Sequence, residues 1–271
     1  MKNDLGDELV HNELITIGPV TIYGYGMMIA LGILVAYKVV LYRATTEQIV
    51  QSHIFSLTVL SLIGGFAGAK LLYWITQINK IVNDPGIVLN VSEGFVVYGG
   101  IIGGILAGYA YCRKKKINFL QHLDLFVPCV ALAQGFGRIG CLLAGCCYGE
   151  ETDSWIGITF RHSESAPNDV KLVPTQIMES LFCFSLFIAL VYVSKKYRPH
   201  HGVIAGLYLV MYSVGRFGIE FFRGDLIRGQ FGVLATSQCI AIGVILITSL
   251  AFLIDRRKKL AISDNSQTEA R

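Results

Sequence analysis

The chain has 271 residues, of which 53% are hydrophobic and only 15% charged, with a mean hydropathy of +0.55 and a formal net charge of +4. A soluble domain carries roughly a quarter charged residues, so the composition excludes soluble catalysis. The basic residues come in short clusters between apolar runs, which excludes a nucleic-acid surface and leaves an all-α polytopic membrane protein.

The first eighteen residues are polar and mixed in charge, without a basic start and an apolar run behind it, so no cleavable signal peptide is expected. Seven stretches then reach the roughly 20 apolar residues that cross a hydrocarbon core, near 20–41, 52–76, 95–112, 118–136, 175–194, 203–222 and 231–254. The fourth is the most interrupted, by His122, Asp124 and Pro128. Arg43 follows the first span, Arg113 to Lys116 the third, Lys195, Lys196 and Arg198 the fifth, and Arg256 to Lys259 the seventh. Alternating spans put all four on one side, which the positive-inside rule makes cytoplasmic. The N-terminus is then outside. Residues 1–259 form one seven-span domain, and 260–271 a polar cytoplasmic tail.

The connection from Arg138 to Pro174 falls outside and is read as an extracytoplasmic cap between spans four and five, with short strands around Trp155 to Phe160. It shows little apolar patterning. Glycines crowd the second span (Gly64, Gly65, Gly68) and the third (Gly99, Gly100, Gly103, Gly104, Gly108), where small residues let helix backbones approach closely.

Ionisable groups inside apolar spans are costly and mark functional sites. Lys70 lies in the second span, Arg138 ends the fourth, and Arg216 and Glu220 lie four apart in the sixth, with Arg223 a turn further on. Glutamate alone does not neutralise these four cations, so the surplus calls for an anion. Arginine forks suit phosphate, and a phospholipid head group is present at that depth. The stretch from Gln134 to Gly149, with five glycines and three cysteines, is one wall of such a site. Tyr25 and Tyr98 add hydroxyls, and Gln176 and Glu179 a donor and a carboxylate. Cys141, Cys146 and Cys147 are read first as packing thiols. A Cys141–Cys146 or Cys141–Cys147 disulfide is the alternative, and zinc finds poor spacing and only His162 nearby, so no metal is assigned.

The ordered set of these motifs resembles the prolipoprotein diacylglyceryl transferase family. The set comprises Tyr98-Gly99-Gly100-Ile101-Ile102-Gly103-Gly104, Gly137-Arg138-Ile139-Gly140 through Tyr148-Gly149, Pro174-Thr175-Gln176 with Glu179, and Arg216 through Glu220 to Arg223. Tyr25-Gly26 and Gly68-Ala69-Lys70-Leu71 match more weakly. The resemblance implies a multi-pass enzyme of the bacterial cytoplasmic membrane that moves the diacylglyceryl group of phosphatidylglycerol to the thiol of a prolipoprotein signal-peptide cysteine and releases glycerol phosphate. No cofactor is implied.

By the same resemblance Tyr98, Arg138, Arg216 and Glu220 are catalytic, the two arginines holding the phosphate. Tyr25, Gly99, Gly100, Cys141, Gly149, Gln176, Glu179 and Arg223 bind substrate. The family carries histidine at the position of Tyr98, asparagine at Cys141, an acid at Cys146, histidine at Val173 and arginine at Lys70. Two other readings fit that pattern of replacements: the same lipid site serving another acceptor, or a non-catalytic lipid-binding membrane protein.

Overall fold

The computed structural model describes residues 13–17, 20–89, 94–161, 163–225, 230–231 and 234–269. Its helices are α1 (Gly24–Thr46), α2 (Gln51–Thr76), the short α3 (Ile78–Asn83), α4 (Val97–Lys115), α5 (Phe119–Leu143), α6 (Thr175–Tyr197), α7 (Val203–Glu220) and α8 (Thr236–Glu269). Three two-stranded antiparallel pieces accompany them: β1 (Glu13–Ile17) with β2 (Val20–Tyr23), β3 (Ile158–Thr159) with β4 (Lys171–Leu172), and β5 (Gln230–Phe231) with β6 (Leu234–Ala235). Among the described residues, six helices are long and apolar enough to cross a membrane: α1, α2, α5, α6, α7 and the Thr236–Ile254 part of α8. The third predicted span, α4, is not among them. Five glycines and the terminal Arg113, Lys114 and Lys115 dilute its apolar character. The final helix continues to Glu269, through most of the stretch expected as a polar tail.

The chain divides into two compact units, Tyr37–Leu125 and Met1–Ala36 with Phe126–Arg271. In the smaller unit α2 lies against α4 through the predicted glycines. A Cβ added at Gly68 or Gly99 would run into the other's carbonyl oxygen, and one at Gly103 into that of Gly64. Backbones this close gain dispersion contact that lipid tails would otherwise supply. Arg43, expected as a topology signal, is buried there and donates to the carbonyls of Asp124 and Leu125. Pro128 cannot offer an N–H to the carbonyl of Asp124, so the arginine supplies a donor the proline takes away.

In the larger unit Ala131 of α5, Leu186 and Leu190 of α6 and Ile204 of α7 form a buried cluster. The loop after α5 has its own small core, Leu142, Phe160, Ala166 and Leu172, with Tyr148, Ile158, Val170 and Ile177 against it. Its apolar residues follow neither a helical nor a strand period in the sequence. The expected strand near residues 155–160 is β3.

Candidate functional site: a buried arginine–carboxylate cluster beside three thiols

Four stretches of the larger unit bring the site together: the end of α5 with the turn behind it, the start of α6, the end of α7, and Phe221 to Asp225. Glu179, one turn into α6, is the hub. Its side chain is 2% exposed and its oxygens lie 2.8 Å from Arg138 Nη2, 3.6 Å from Arg216 Nη1 and 3.9 Å from Arg223 Nη1. Arg216 also pairs with Glu220 at 2.7 Å, the i, i+4 contact its spacing predicts. Arg223 takes Asp225 in a bidentate fork, Nε to Oδ1 at 2.9 Å and Nη2 to Oδ2 at 2.7 Å.

The expected surplus of positive charge is corrected by this arrangement. Three arginines meet three carboxylates, and Lys70 belongs to the smaller unit, its Nζ 5.3 Å from the Tyr73 ring and 5.2 Å from the Phe95 ring. What remains unsatisfied is directional. Nη1 of Arg216 and of Arg223 are buried donors without a hydrogen-bond acceptor among the described residues, although both face Glu179 at ion-pair distance. Donors held ready in a dry place are suited to stabilising negative charge that enters or develops there. Burial opposes the charge of Arg223, but the hydrogen bonds with Asp225 and Cys147 outweigh it and hold its pKa above the ordinary value.

Gly149 stitches the site. Its N–H donates to Val173 O at 3.0 Å, the next N–H, of Glu150, donates to Phe222 O at 2.9 Å, and Gly224 N–H donates back to Tyr148 O at 3.2 Å. A Cβ at Gly149 would fall 2.5 Å from Val173 O and 2.6 Å from Phe222 O. A cavity of about 240 Å³ opens beside it, lined by Tyr148, Gly149, Glu150, Leu172, Arg223 and Gly224.

The thiols follow from how α5 ends. Gly145 takes φ +64°, its N–H bonds Leu142 O at 3.1 Å, and Cys146 N–H bonds Cys141 O at 3.0 Å. This is a Schellman cap, and it carries residue 146 back over residue 141. Cys147, at φ 61°, turns the chain again. Thr175 Oγ1 donates to Cys147 O and Gln176 Nε2 to Cys146 O, both at 2.8 Å, so the start of α6 fixes the turn. The three sulfurs all lie within 4.8 Å of one another. The hydrogen bond with Cys141 lowers the pKa of the Cys146 thiol, but the one with Cys147 and burial raise it by more, so it titrates above its ordinary value. His162, the only histidine considered as a partner, lies outside the described residues.

Of the residues singled out from sequence, Arg138, Cys141, Gly149, Gln176, Glu179, Arg216, Glu220 and Arg223 are assembled in this unit. Tyr25 joins them: half-exposed at the start of α1, it packs against Gly140, where a Cβ would lie 3.2 Å from its ring. Tyr98, Gly99 and Gly100 belong to the smaller unit, Gly99 buried in the α2–α4 crossing and Tyr98 half-exposed. Sequence reasoning missed Asp225, whose signal was its place two residues after Arg223, and Thr175, which the motif contained without a role.

A family model described as prolipoprotein diacylglyceryl transferase matches residues 12–254. The chain is 48% identical over 238 residues to a phosphatidylglycerol–prolipoprotein diacylglyceryl transferase of Clostridium tetani, covering 88% of this chain and 95% of that one. It is 46% identical over 239 residues to phosphatidylglycerol–prolipoprotein diacylglyceryl transferase 2 of Clostridium perfringens, at 88% and 92% coverage. A relative of the same name from Finegoldia magna is 32% identical over 246 residues, at 90% and 95% coverage.

Proposed function

The chain belongs to the prolipoprotein diacylglyceryl transferase family, and we propose that it transfers the diacylglyceryl group of phosphatidylglycerol to the thiol of a prolipoprotein signal-peptide cysteine, releasing glycerol phosphate. The observation that carries the site assignment is the buried Glu179 ringed by Arg138, Arg216 and Arg223. The acceptor sulfur attacks the glycerol carbon, the carbon–oxygen bond breaks, and its electron pair leaves on the phosphate. Negative charge grows on that phosphate as the bond breaks, and only donors already in place stabilise it without reorganisation. Arg138 and Arg216 are assigned to the departing phosphate. Glu220 and Asp225 hold the forks of Arg216 and Arg223, and Glu179 keeps all three guanidiniums together until the lipid enters. Gly149 and Cys141 line the same place, Gln176 fixes its turn, and Tyr25 faces the head group.

The membrane arrangement supports this reading. Helix α4 has 19 residues, about 28 Å of helix, close to the about 30 Å of a hydrocarbon core, and it ends in basic residues. It is taken as the seventh span. The clusters Arg113–Lys116, Lys195–Arg198 and Arg256–Lys259 then face the cytoplasm, and the loop from Arg138 to Pro174 caps the site outside.

The test is purified protein in phosphatidylglycerol micelles with a synthetic lipobox peptide, followed by glycerol phosphate release and peptide mass. A diacylglyceryl mass gain that vanishes in Arg138→Ala supports the assignment. Undiminished transfer by a correctly inserted Arg138→Ala protein removes Arg138 from the mechanism.

A further inference from the structure

Cys141 lines the site just described, but none of the three thiols takes a step in its phosphate chemistry, and yet their convergence is built with care. A Schellman cap, a non-glycine residue at positive φ and two buried side chains of α6 hold the turn that gathers them. Three thiolates in a tetrahedral set about a metal, each at about 2.3 Å, lie about 3.8 Å apart, against separations here of no more than 4.8 Å. A disulfide would need only two sulfurs, brought to about 2 Å, and would leave the third idle.

We propose that Cys141, Cys146 and Cys147 form a three-thiolate site for a soft d10 cation, zinc foremost, whose open fourth position takes the thiol of the acceptor as a thiolate. This rests on the transferase reading above. Thiolates select zinc and copper(I) over hard cations. Three protein ligands with one position left for substrate is the pattern of catalytic zinc. Three thiolates and a divalent ion sum to minus one, and two arginines bracket the cluster. Arg138 stands one helical turn before Cys141, and Cys147 is among the groups that favour the Arg223 charge. The same two arginines belong to the anion cluster, so the bound sulfur and the phosphate ester would be neighbours.

The step balances. The acceptor thiol gives its proton to water as sulfur binds the cation, since a coordinated thiol is deprotonated outright. A sulfur lone pair then forms the bond to the glycerol carbon while the carbon–oxygen pair departs on phosphate. The thioether produced is a weaker ligand than the thiolate and leaves the ion. Coordination thus prepares the nucleophile without a separate general base.

The decisive experiment titrates cobalt(II), a coloured substitute for zinc, into the reduced full-length protein in phosphatidylglycerol micelles. Saturation at one ion per chain is expected, with sulfur-to-cobalt charge-transfer absorption of three thiolates. A lipobox peptide should then raise that absorption by about a third as a fourth thiolate joins, and a peptide with serine for the cysteine should not. Cys146→Ser, or Cys147→Ala should the first fail to fold, should weaken binding by more than roughly 100-fold, the upper loss on removing a metal's outer-shell partners. Cys239→Ser should bind as the parent does. Absence of the thiolate band, indifference of the band to the cysteine peptide, or a disulfide that re-forms instead of binding would overturn the inference while transfer itself still proceeds. A full cobalt response without any mass gain on the peptide, with zinc or cobalt, would instead overturn the transferase reading.

Discussion

Removing the Glu179 carboxylate is the perturbation with the clearest physical reading. Unit charges 2.8–3.9 Å apart attract by about 4–6 kcal/mol each at an effective dielectric of 20, and most of that is cancelled by the desolvation of burying the ions. What remains visible on deletion is the charge left behind. Arg216 keeps Glu220 and Arg223 keeps Asp225, but Arg138 has no second carboxylate within 4.0 Å among the described residues. Breaking a buried pair in this way costs about 3–5 kcal/mol, which for a chain of this size lowers the melting temperature by roughly 6–20 °C. The assay is the fraction of Glu179→Ala protein that stays monodisperse in micelles after heating, beside the parent and the double variant Glu179→Ala/Arg138→Met. The double variant should recover part of the loss, because no charge is then stranded. A Glu179→Ala protein melting within about 2 °C of the parent, or a double variant no better than the single, would refute the stranded-charge argument.

Gly149→Ala should damage both folding and transfer, since its Cβ would sit 2.5 Å from one carbonyl oxygen and 2.6 Å from another. Overpacking of this kind typically costs about 1–3 kcal/mol. Parent-like melting and transfer would show that the strands around Gly149 yield freely. The role that the resemblance gives Tyr98 is checked by Tyr98→Phe, which removes one hydroxyl from a half-exposed ring. A lower rate at unchanged melting temperature is expected, and an unchanged rate would reduce Tyr98 to a lipid-facing side chain.

Much of this architecture could be read from the chain. Long apolar runs located the helices because no other arrangement satisfies their backbones in hydrocarbon, and Pro128 did not break α5 as its interruption of the pattern suggested. The Arg216–Glu220 pair was visible because four residues are about one turn. Glu179 as the hub was not, because it lies 41 positions after Arg138 and only packing of α5 on α6 brings them together. The glycine-rich α4 was counted among the apolar runs, but its glycines and terminal basic residues leave it outside the six helices apolar enough to cross a membrane. The loop after α5 was underestimated because Phe160 and Leu172 fill a core without periodicity. The thiol cluster depended on two backbone torsions, at Gly145 and Cys147, that composition does not reveal.

Arg138, Arg216 and Arg223 set against Glu179, Glu220 and Asp225 make a cage whose formal charges cancel. On the proposed assignment, such a cage discriminates between what enters and what leaves. The lipid arrives as a phosphodiester with one negative charge, but the glycerol phosphate formed is a monoester that loses a second proton with a pKa of about 6. A neutral cage holds the first ion and is overfilled by the second, with Glu179 already inside it. Ejection of the spent head group follows from that assignment. Free glycerol phosphate should therefore inhibit transfer more weakly above about pH 6 than below it, a trend that product-inhibition measurements across that pH would reveal or reverse.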